Sequence, residues 1–290
     1  MLVESRSLLG AEIDNGEYAA PSYYGKWMKV NNHREEFEME LMRYLFSKSN
    51  ACISEIIGLS KDEIDLTIPY YAAIIEIDLT NDKIDWYQLR TFSKNYILKM
   101  RFNIISIAGQ NYLIVIVPAR FITTTLKEDP YYLKLIKYKE AIEERFNIGV
   151  SQGIGQPYPI LKLKKSFNQA RIALSLSKIK GKKSFTQQFS DLGLFSWIFS
   201  QDIEILQSFC HKTLGKLIDN DYLMDTLRKL SNNGFALKIT ADSLFIHVNT
   251  LYYRVARIEE LIGADLSNIA TRMNIYTAII IWDTLKEAEL

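Results

Sequence analysis

Apolar and polar positions follow two different periods along the chain, and the difference divides the sequence into two regions. Between residues 66 and 188, nearly continuous apolar runs such as Tyr70–Leu79 predict buried strands, and amphipathic stretches between them predict helices. From residue 189 to the end only helical periodicity remains. We therefore predict an α+β protein in which an antiparallel-sheet domain is followed by an all-α domain.

The elements predicted for the first region follow the order strand-helix-strand-strand-helix-strand-helix. Phe102–Pro118 reads as two apolar strands about a Gly-Gln-Asn turn, and Asn81 is the expected cap of the helix that precedes this hairpin. The later helices are expected at Asp129–Phe146 and Ile160–Gly181. This order is the ferredoxin-like scheme with one additional helix.

Residues 1–65 form a separate N-terminal segment in this interpretation. Residues 1–30 have no periodicity, whereas His33–Phe46 carries apolar residues on one helical face. Two interpretations of that helix remain open on the sequence alone. It either packs on its own domain or serves as a linker or dimer element.

Composition narrows the class of protein without naming a function. Lys and Arg number 35 against 34 Asp and Glu, so no global field attracts nucleic acid or membrane. We find no signal peptide and no apolar run long enough to span a bilayer, and two isolated cysteines are typical of a reducing compartment. The sequence predicts a cytoplasmic protein.

Catalytic and metal-binding patterns are missing from the sequence. The three histidines lie far apart and outside metal-ligand spacings, and no phosphate-binding loop or nucleophile motif occurs. We therefore predict no catalytic residues, no metal and no cofactor.

Three pieces of the first domain resemble the GGDEF nucleotide-cyclase fold. Ala108, Gly109, Gln110, Asn111 and Tyr112 occupy the signature hairpin, and the last helix keeps the family's pattern at Ala170, Ala173, Leu174, Lys178 and Gly181. The resemblance covers roughly residues 67–183 and implies a domain of this fold.

The same overlay predicts that the cyclase chemistry is lost. Metal-dependent cyclisation needs carboxylates, but Gln110 and Asn111 are neutral amides. Glu76 and Asp78 keep acids at the end of the first strand, where a solvated strand end is the favoured interpretation. The R-x-x-D product site is replaced by Lys99–Phe102. We expect an inactive, degenerate site.

The segment from Asn147 to Ser190 contains no acidic residue and eight basic ones. A solvated helix face is the expected explanation, as for most charge runs. The alternative is that these side chains bind an anionic effector or a flanking DNA phosphate.

Near the C-terminus, a short helix at Ile239–Leu244 and a longer one at Val248–Ile262 are predicted on either side of a tight turn. Leu251, Val255 and Ile258 form the apolar stripe of the longer helix. The polar residues between them are expected to face solvent, which is the pattern of a helix-turn-helix whose second helix enters the major groove. Those residues are Asn249, Thr250, Tyr253, Arg254 and Arg257.

This stretch resembles the C-terminal domain of the PucR/CdaR family of bacterial transcription regulators. The shared frame runs from Leu244 through His247, Asn249, Thr250, Leu251, Tyr253 and Arg254 to Gly263. The resemblance implies DNA contacts by His247, Asn249, Thr250, Tyr252, Tyr253, Arg254 and Arg257, with helix capping favoured for His247 and either groove contact or surface cover for Tyr252.

From this we predict a sequence-specific DNA-binding transcriptional regulator of a metabolic operon, with residues 66–188 as the GGDEF-like domain and residues 189–290 as the helical, DNA-binding region. Its partners would be double-stranded operator DNA, a second copy of the chain and a small-molecule effector, and no membrane. Dimerisation is expected because residues 223–290 carry seven basic and eight acidic residues, too little positive charge for one domain to bind DNA tightly. The alternative is a nucleotide- or metabolite-binding receptor that acts through protein contacts.

Overall fold

The computed structural model describes residues 33–47, 65–77, 85–99, 105–108, 112–119 and 129–290. They fall into two compact units, with the division between Leu192 and Gly193. Within the described residues, no helix is both long enough and apolar enough to cross a membrane.

Unit 1 is built on one mixed sheet of six strands. Their order is β2-β3-β1-β4-β6, with β5 paired to β1. The strands are β1 (Pro69–Ile77), β2 (Ile105–Ala108), β3 (Tyr112–Pro118), β4 (Val150–Ile154), β5 (Tyr158–Pro159) and β6 (Thr186–Gln188). The α+β class is confirmed. The expectation of a purely antiparallel sheet is wrong at one pair, because β4 and β6 run parallel.

Within the described residues, four α-helices of unit 1 cover this sheet. They are α1 (His33–Phe46), α2 (Trp86–Lys99), α3 (Pro130–Phe146) and α4 (Leu163–Ile179). On one face, Tyr70, Ala72 and Ile74 of β1 pack with residues of α1 and α4. On the other face, Tyr71, Ala73 and Ile75 pack with residues of α2 and α3. Both faces of β1 are therefore buried, which explains its continuous apolar run.

Helix α1 packs on its own domain, which is the first of the two interpretations left open by the sequence. Phe37, Leu41, Tyr44 and Leu45 are buried in the core that α1 shares with β1 and α4. The Tyr44 hydroxyl also donates to the carbonyl of Leu161 at 2.8 Å. These four residues of the apolar face of α1 are thus used within unit 1.

The glycines of β4 allow α4 to lie directly on the sheet. A Cβ atom added at Gly153 would lie 2.2 Å from the carbonyl oxygen of Ala170, and one at Gly155 would lie 2.0 Å from that of Ser166. Backbone atoms cannot move aside as a side chain can. The glycines of this segment therefore serve close helix–strand packing.

Two helices of unit 1, α2 and α3, begin with an aspartate whose side chain caps the first turn. Asp129 accepts a hydrogen bond from the amide of Tyr131 at 2.7 Å and precedes Pro130 at the first helical position of α3. Asp85 accepts from the amides of Tyr87 and Gln88 in the first turn of α2. The predicted cap Asn81 lies outside the described residues.

Several basic side chains of residues 147–190 are bound within unit 1. Lys164 donates to the carbonyl of Ser47, Lys182 donates to the Gln187 side chain, and Arg171 lies over the ring of Phe167. These contacts give some of the basic side chains in this segment a structural role within unit 1. Lys162, Lys165 and Lys183 remain exposed.

Unit 2 is entirely helical in the residues described. It contains α5 (Leu194–Ile198), α6 (Ile203–Leu214), α7 (Asp221–Asn232), α8 (Leu237–Ser243), α9 (Val248–Ile262) and α10 (Ile269–Glu287), with a 3-10 segment at Gly215–Asp219. Asn220 and Asn268 cap α7 and α10 through their side-chain oxygens. A bidentate ion pair joins Arg228 of α7 to Asp283 of α10 at 2.9 and 2.7 Å.

Candidate nucleic-acid interface

Helices α7, α8 and α9 share one small core. Leu223 and Leu227 of α7 are buried, as are Thr240 and Ala241 of α8. Leu251 of α9 is fully buried on the side that faces them, and Ile258 is buried two turns later. The small Ala241 side chain lets α8 and α9 cross closely, as the sequence predicted.

The turn between α8 and α9 is held by the hydrogen bonds of a Schellman motif. The amide of Ile246 donates to the carbonyl of Ala241 at 3.1 Å, and the amide of Phe245 donates to that of Asp242 at 3.1 Å. Phe245 lies in the left-handed region, with φ of 55°. The turn therefore has one defined geometry, which fixes where α9 begins.

His247 is the N-cap of α9. Its Nδ1 atom accepts a hydrogen bond from the amide of Asn249 at 3.2 Å, and its backbone is extended. This contact satisfies one of the amides that a helix start leaves without an intrahelical partner. The capping role that the sequence favoured for His247 is the one found here.

The front of α9 presents a set of exposed polar and aromatic side chains, which we call the reading face. Tyr253 is 80% exposed and Tyr252 is 55% exposed, so neither ring contributes to the core. Asn249 and Thr250 are exposed in the first turn. Arg257 is exposed one turn further on and forms an ion pair with Glu260. The reading face consists of Asn249, Thr250, Tyr252, Tyr253 and Arg257.

Arg254 does not belong to this face, and the prediction that it points to solvent is wrong. Its guanidinium lies over the ring of Tyr222, 4.2 Å from the ring centroid. Its Nη1 atom donates to the hydroxyl of Thr226 at 3.1 Å. Both partners belong to α7. Arg254 follows Leu251 by three positions and precedes Ile258 by four, which places it on the inward side of the helix.

The other arginines of the domain are also engaged within it. Asp283 raises the pKa of Arg228, chiefly through their hydrogen bonds. Arg272 lies over the ring of Phe235, with 5.2 Å to the centroid, and donates to the carbonyl of Leu266. The remaining basic residues between 223 and 290 are Lys229, Lys238 and Lys286. The domain therefore offers few charges to phosphates.

Two family models match the chain in the same order as the two units. Residues 63–176 match the GGDEF-like domain, and residues 223–281 match the PucR C-terminal helix-turn-helix domain. The chain thus carries a GGDEF-like domain followed by a PucR-type C-terminal helix-turn-helix domain. The matched helix-turn-helix segment spans α7 to the middle of α10.

Several relatives of this chain are bacterial regulators. The proline-responsive transcriptional activator PutR of Bacillus subtilis (strain 168) is 34% identical over 133 residues, 43% of this chain and 32% of PutR. The carbohydrate diacid regulator of Escherichia coli (strain K12) is 26% identical over 226 residues, 74% of this chain and 58% of that protein. The chain thus spans less than two thirds of each of these relatives.

A solved structure, the regulator of polyketide synthase expression from Bifidobacterium adolescentis, aligns over 87% of this chain and 94% of its own. The TM-score is 0.42 at 12% identity. The assignment of the two domains rests on the family matches and not on this overall likeness.

The GGDEF-like unit uses one of its predicted site acids structurally. Glu76 pairs with Lys178 of α4 at 2.9 Å, and its side chain is only 14% exposed. Lys178 is also one of the residues that matched the cyclase helix pattern. Glu76 is therefore not the solvated strand end that the sequence favoured, because a cation of α4 lies against its carboxylate.

The other residues of the degenerate site, Asp78, Gln110 and Asn111, lie outside the described residues. Within the described ranges, no cluster of three or more His, Cys, Asp or Glu side chains is arranged to hold a metal ion. The prediction that this site is inactive rests on the amides at Gln110 and Asn111.

Two residues of the family frame, Phe245 and Glu259, were given no role by the sequence. Glu259 of α9 accepts a hydrogen bond from the amide of Leu266 at 2.7 Å and so orders the loop before α10. Phe245 is 95% exposed in the turn beside the reading face. The partner of Glu259 lies beyond the end of its helix and the exposure of Phe245 depends on the turn, so the helical spacing of α9 indicated neither.

Proposed function

We propose that this chain is a sequence-specific DNA-binding transcriptional regulator of a metabolic operon and carries out no catalysis. The observation that supports this most strongly is the helix-turn-helix itself. Its turn has one defined geometry, and the first two turns of α9 present Asn249, Thr250 and Tyr253 to solvent instead of to a core. Side chains at the front of a second helix are those that meet base edges in the major groove.

The chemistry of the reading face suits base contacts better than phosphate contacts. Amide and hydroxyl groups such as those of Asn249 and Thr250 bind base edges, and asparagine pairs well with adenine. Tyrosine rings give apolar contact together with a hydroxyl. Arg257 carries a charge on this face, and Glu260 partly offsets it.

The regulators PutR and the carbohydrate diacid regulator are named for proline and for carbohydrate diacids. We extend to this chain only the general role, regulation of a metabolic operon in the cytoplasm in response to a small molecule. The effector is not specified by the described residues.

A direct test begins with selection of duplexes from a random-sequence library by the full chain. Arg257→Ala should then lower affinity for the selected duplex by about tenfold or more, because it removes one good base or phosphate contact. Lys286→Ala removes the same charge in the last turn of α10, outside the helix-turn-helix, and should leave affinity unchanged. Failure of the wild-type chain to select any duplex would refute the proposal.

Salt dependence separates this proposal from a receptor that acts through protein contacts. Within the matched helix-turn-helix segment, only Lys229, Lys238 and Arg257 remain to meet phosphates. The slope of log K against log salt should therefore be no steeper than about −3 per bound domain. If binding shows no salt dependence and no sequence is selected, the result would favour a receptor that acts through protein contacts. The low positive charge of the domain is the reason why this receptor is the second candidate.

We further propose that the chain binds DNA as a homodimer. With so few free cations, one domain holds DNA weakly, whereas two domains on paired half-sites add their contacts. Sedimentation at micromolar concentration, with and without the selected duplex, should show two chains per duplex. A single chain in both conditions would contradict this.

A further inference from the structure

Phe245 is a large apolar side chain in an exposed position, where it does not stabilise the folded domain by burial. It is 95% exposed, and among the described residues its ring contacts no other ring or cation. A phenylalanine that remains in water forgoes the free energy it would gain by burial. Single exposed apolar residues are common, so exposure alone does not single it out.

The backbone at Phe245 adds the second observation. Its φ of 55° lies in the left-handed region, which glycine adopts freely and a side chain with a Cβ does not. This is the residue after the helix end in a Schellman motif, where glycine or asparagine is preferred. The chain carries a phenylalanine where the fold itself favours glycine.

A comparison within the same domain shows what usually justifies such a residue. Phe235 also has a left-handed conformation just after a helix, with φ of 63°. Its ring is partly buried and receives the guanidinium of Arg272 at 5.2 Å. Phe235 is therefore explained by a contact inside the domain. Phe245 has no such contact among the described residues, so its ring is available to another molecule.

The position of Phe245 indicates which molecule that is. It precedes the N-cap His247 by two residues, and the exposed Asn249 and Thr250 follow in the first turn of α9. In a docked helix-turn-helix this end of the second helix is the part that enters the major groove. The apolar feature of the major groove is the C5-methyl group of thymine, which phenylalanine contacts.

We propose that Phe245 is a specificity-determining residue that packs on a thymine methyl group in the operator. This inference rests on the proposed function, since it requires that α8 and α9 bind DNA. It adds a source of affinity that needs no charge, in a domain whose arginines are engaged in internal contacts. It also predicts a thymine at a fixed position in each half-site.

The test uses the duplex selected by the full chain from a random library, and copies in which each thymine in turn is replaced by deoxyuridine. Deoxyuridine lacks only the methyl group. The wild-type chain should lose affinity by about fourfold at one position per half-site, as burial of one methyl-sized group gives. At the remaining positions affinity should change much less.

Phe245→Gly and Phe245→Asn should bind the all-thymine duplex more weakly and should no longer distinguish deoxyuridine at that position. Both residues tolerate the left-handed backbone, so both variants should melt at or above the wild-type temperature. Met273→Ala, which shortens an exposed side chain of α10, should leave affinity, discrimination and melting temperature unchanged.

Three results would overturn the proposal. Variants that bind as tightly as wild type would assign the exposed ring to a protein partner. Variants that bind weakly but still sense the same deoxyuridine would place the methyl contact elsewhere. Variants that melt at lower temperatures would make Phe245 structural. A wild-type chain that selects no duplex would instead refute the proposed function, so the two failures are distinguishable.

Discussion

Residues of the family frame lie on both sides of helix α9, and the two sides have different surroundings. On the inward side, Leu251, Arg254 and Ile258 hold the helix against α7 and α8. On the outward side, Asn249, Thr250 and Tyr253 make no side-chain contribution to the core. Agreement with a family pattern therefore combines two kinds of residue, those that pack inside the domain and those that remain exposed on its surface.

Unit 1 shows the same division at the site that the sequence predicts to be degenerate. Lys178 matches the cyclase helix pattern, and the structure pairs it with Glu76 at 2.9 Å. This pair joins β1 to α4. A residue that agrees with a family pattern is thus not by that fact a binding residue, and variants that separate stability from binding distinguish the two kinds.

The largest effect is expected at the centre of the inward side. Leu251→Ala should lower the free energy of unfolding by about 2–5 kcal/mol, because the deletion leaves a cavity in a fully buried position. Thermal or urea unfolding of the full chain, followed through unit 2, measures it. A loss below the size of a surface substitution would mean that α9 is not packed as described.

Arg254→Ala should come next, with a loss of about 1–3 kcal/mol, since it removes a hydrogen bond to Thr226 and the stacking on Tyr222. Arg254→Lys keeps the charge but cannot stack as a planar group, and should show part of that loss. DNA affinity measured well below the melting temperature should fall less than for Arg257→Ala. A variant that melts normally but fails to bind DNA would show that Arg254 contacts DNA and is not needed for the stability of the domain.

His247→Ala should cost about 1 kcal/mol, the usual effect of removing a helix N-cap. His247→Asn supplies another good cap and should melt close to wild type. If both variants instead lose DNA affinity with unchanged melting, His247 contacts a base or phosphate and capping is its lesser role.

Glu76→Gln should have the smallest effect on stability, about 1 kcal/mol or less, because it weakens an ion pair that is only partly shielded from water. The chain should form no cyclic dinucleotide from GTP and Mg²⁺, with or without this substitution, since amides replace the carboxylates at Gln110 and Asn111. Product that forms in the wild type and disappears in Glu76→Gln would show a working metal site.

The periodicity of apolar residues was sufficient to predict the long helices and strands, but not the short or polar strands. Helix α9 was predicted at the bounds it has, Val248–Ile262, because its apolar stripe and capping residue agree. Strands β5 and β6 were missed because two or three residues cannot show a period of two, and β6 consists of Thr186, Gln187 and Gln188. The parallel pairing of β6 with β4 depends on a distant strand and leaves no local pattern.

The candidate site was predictable in outline and wrong in one member. Arg254 was placed outside because arginine is usually exposed, although its spacing from Leu251 and Ile258 puts it on the inward side. An aromatic and a hydroxyl partner on α7, Tyr222 and Thr226, make that placement favourable. No rule confined to one helix identifies partners on another.

The separation of α9 into an inward and an outward side also has an evolutionary consequence. Mutations at Asn249, Thr250 or Tyr253 change what the helix contacts while leaving the fold close to its original stability, so selection against unfolded protein does not remove them. On the proposed function, a few such changes after a gene duplication would give two copies of the chain different operators, while the packing of α9 on α7 and α8 stayed the same.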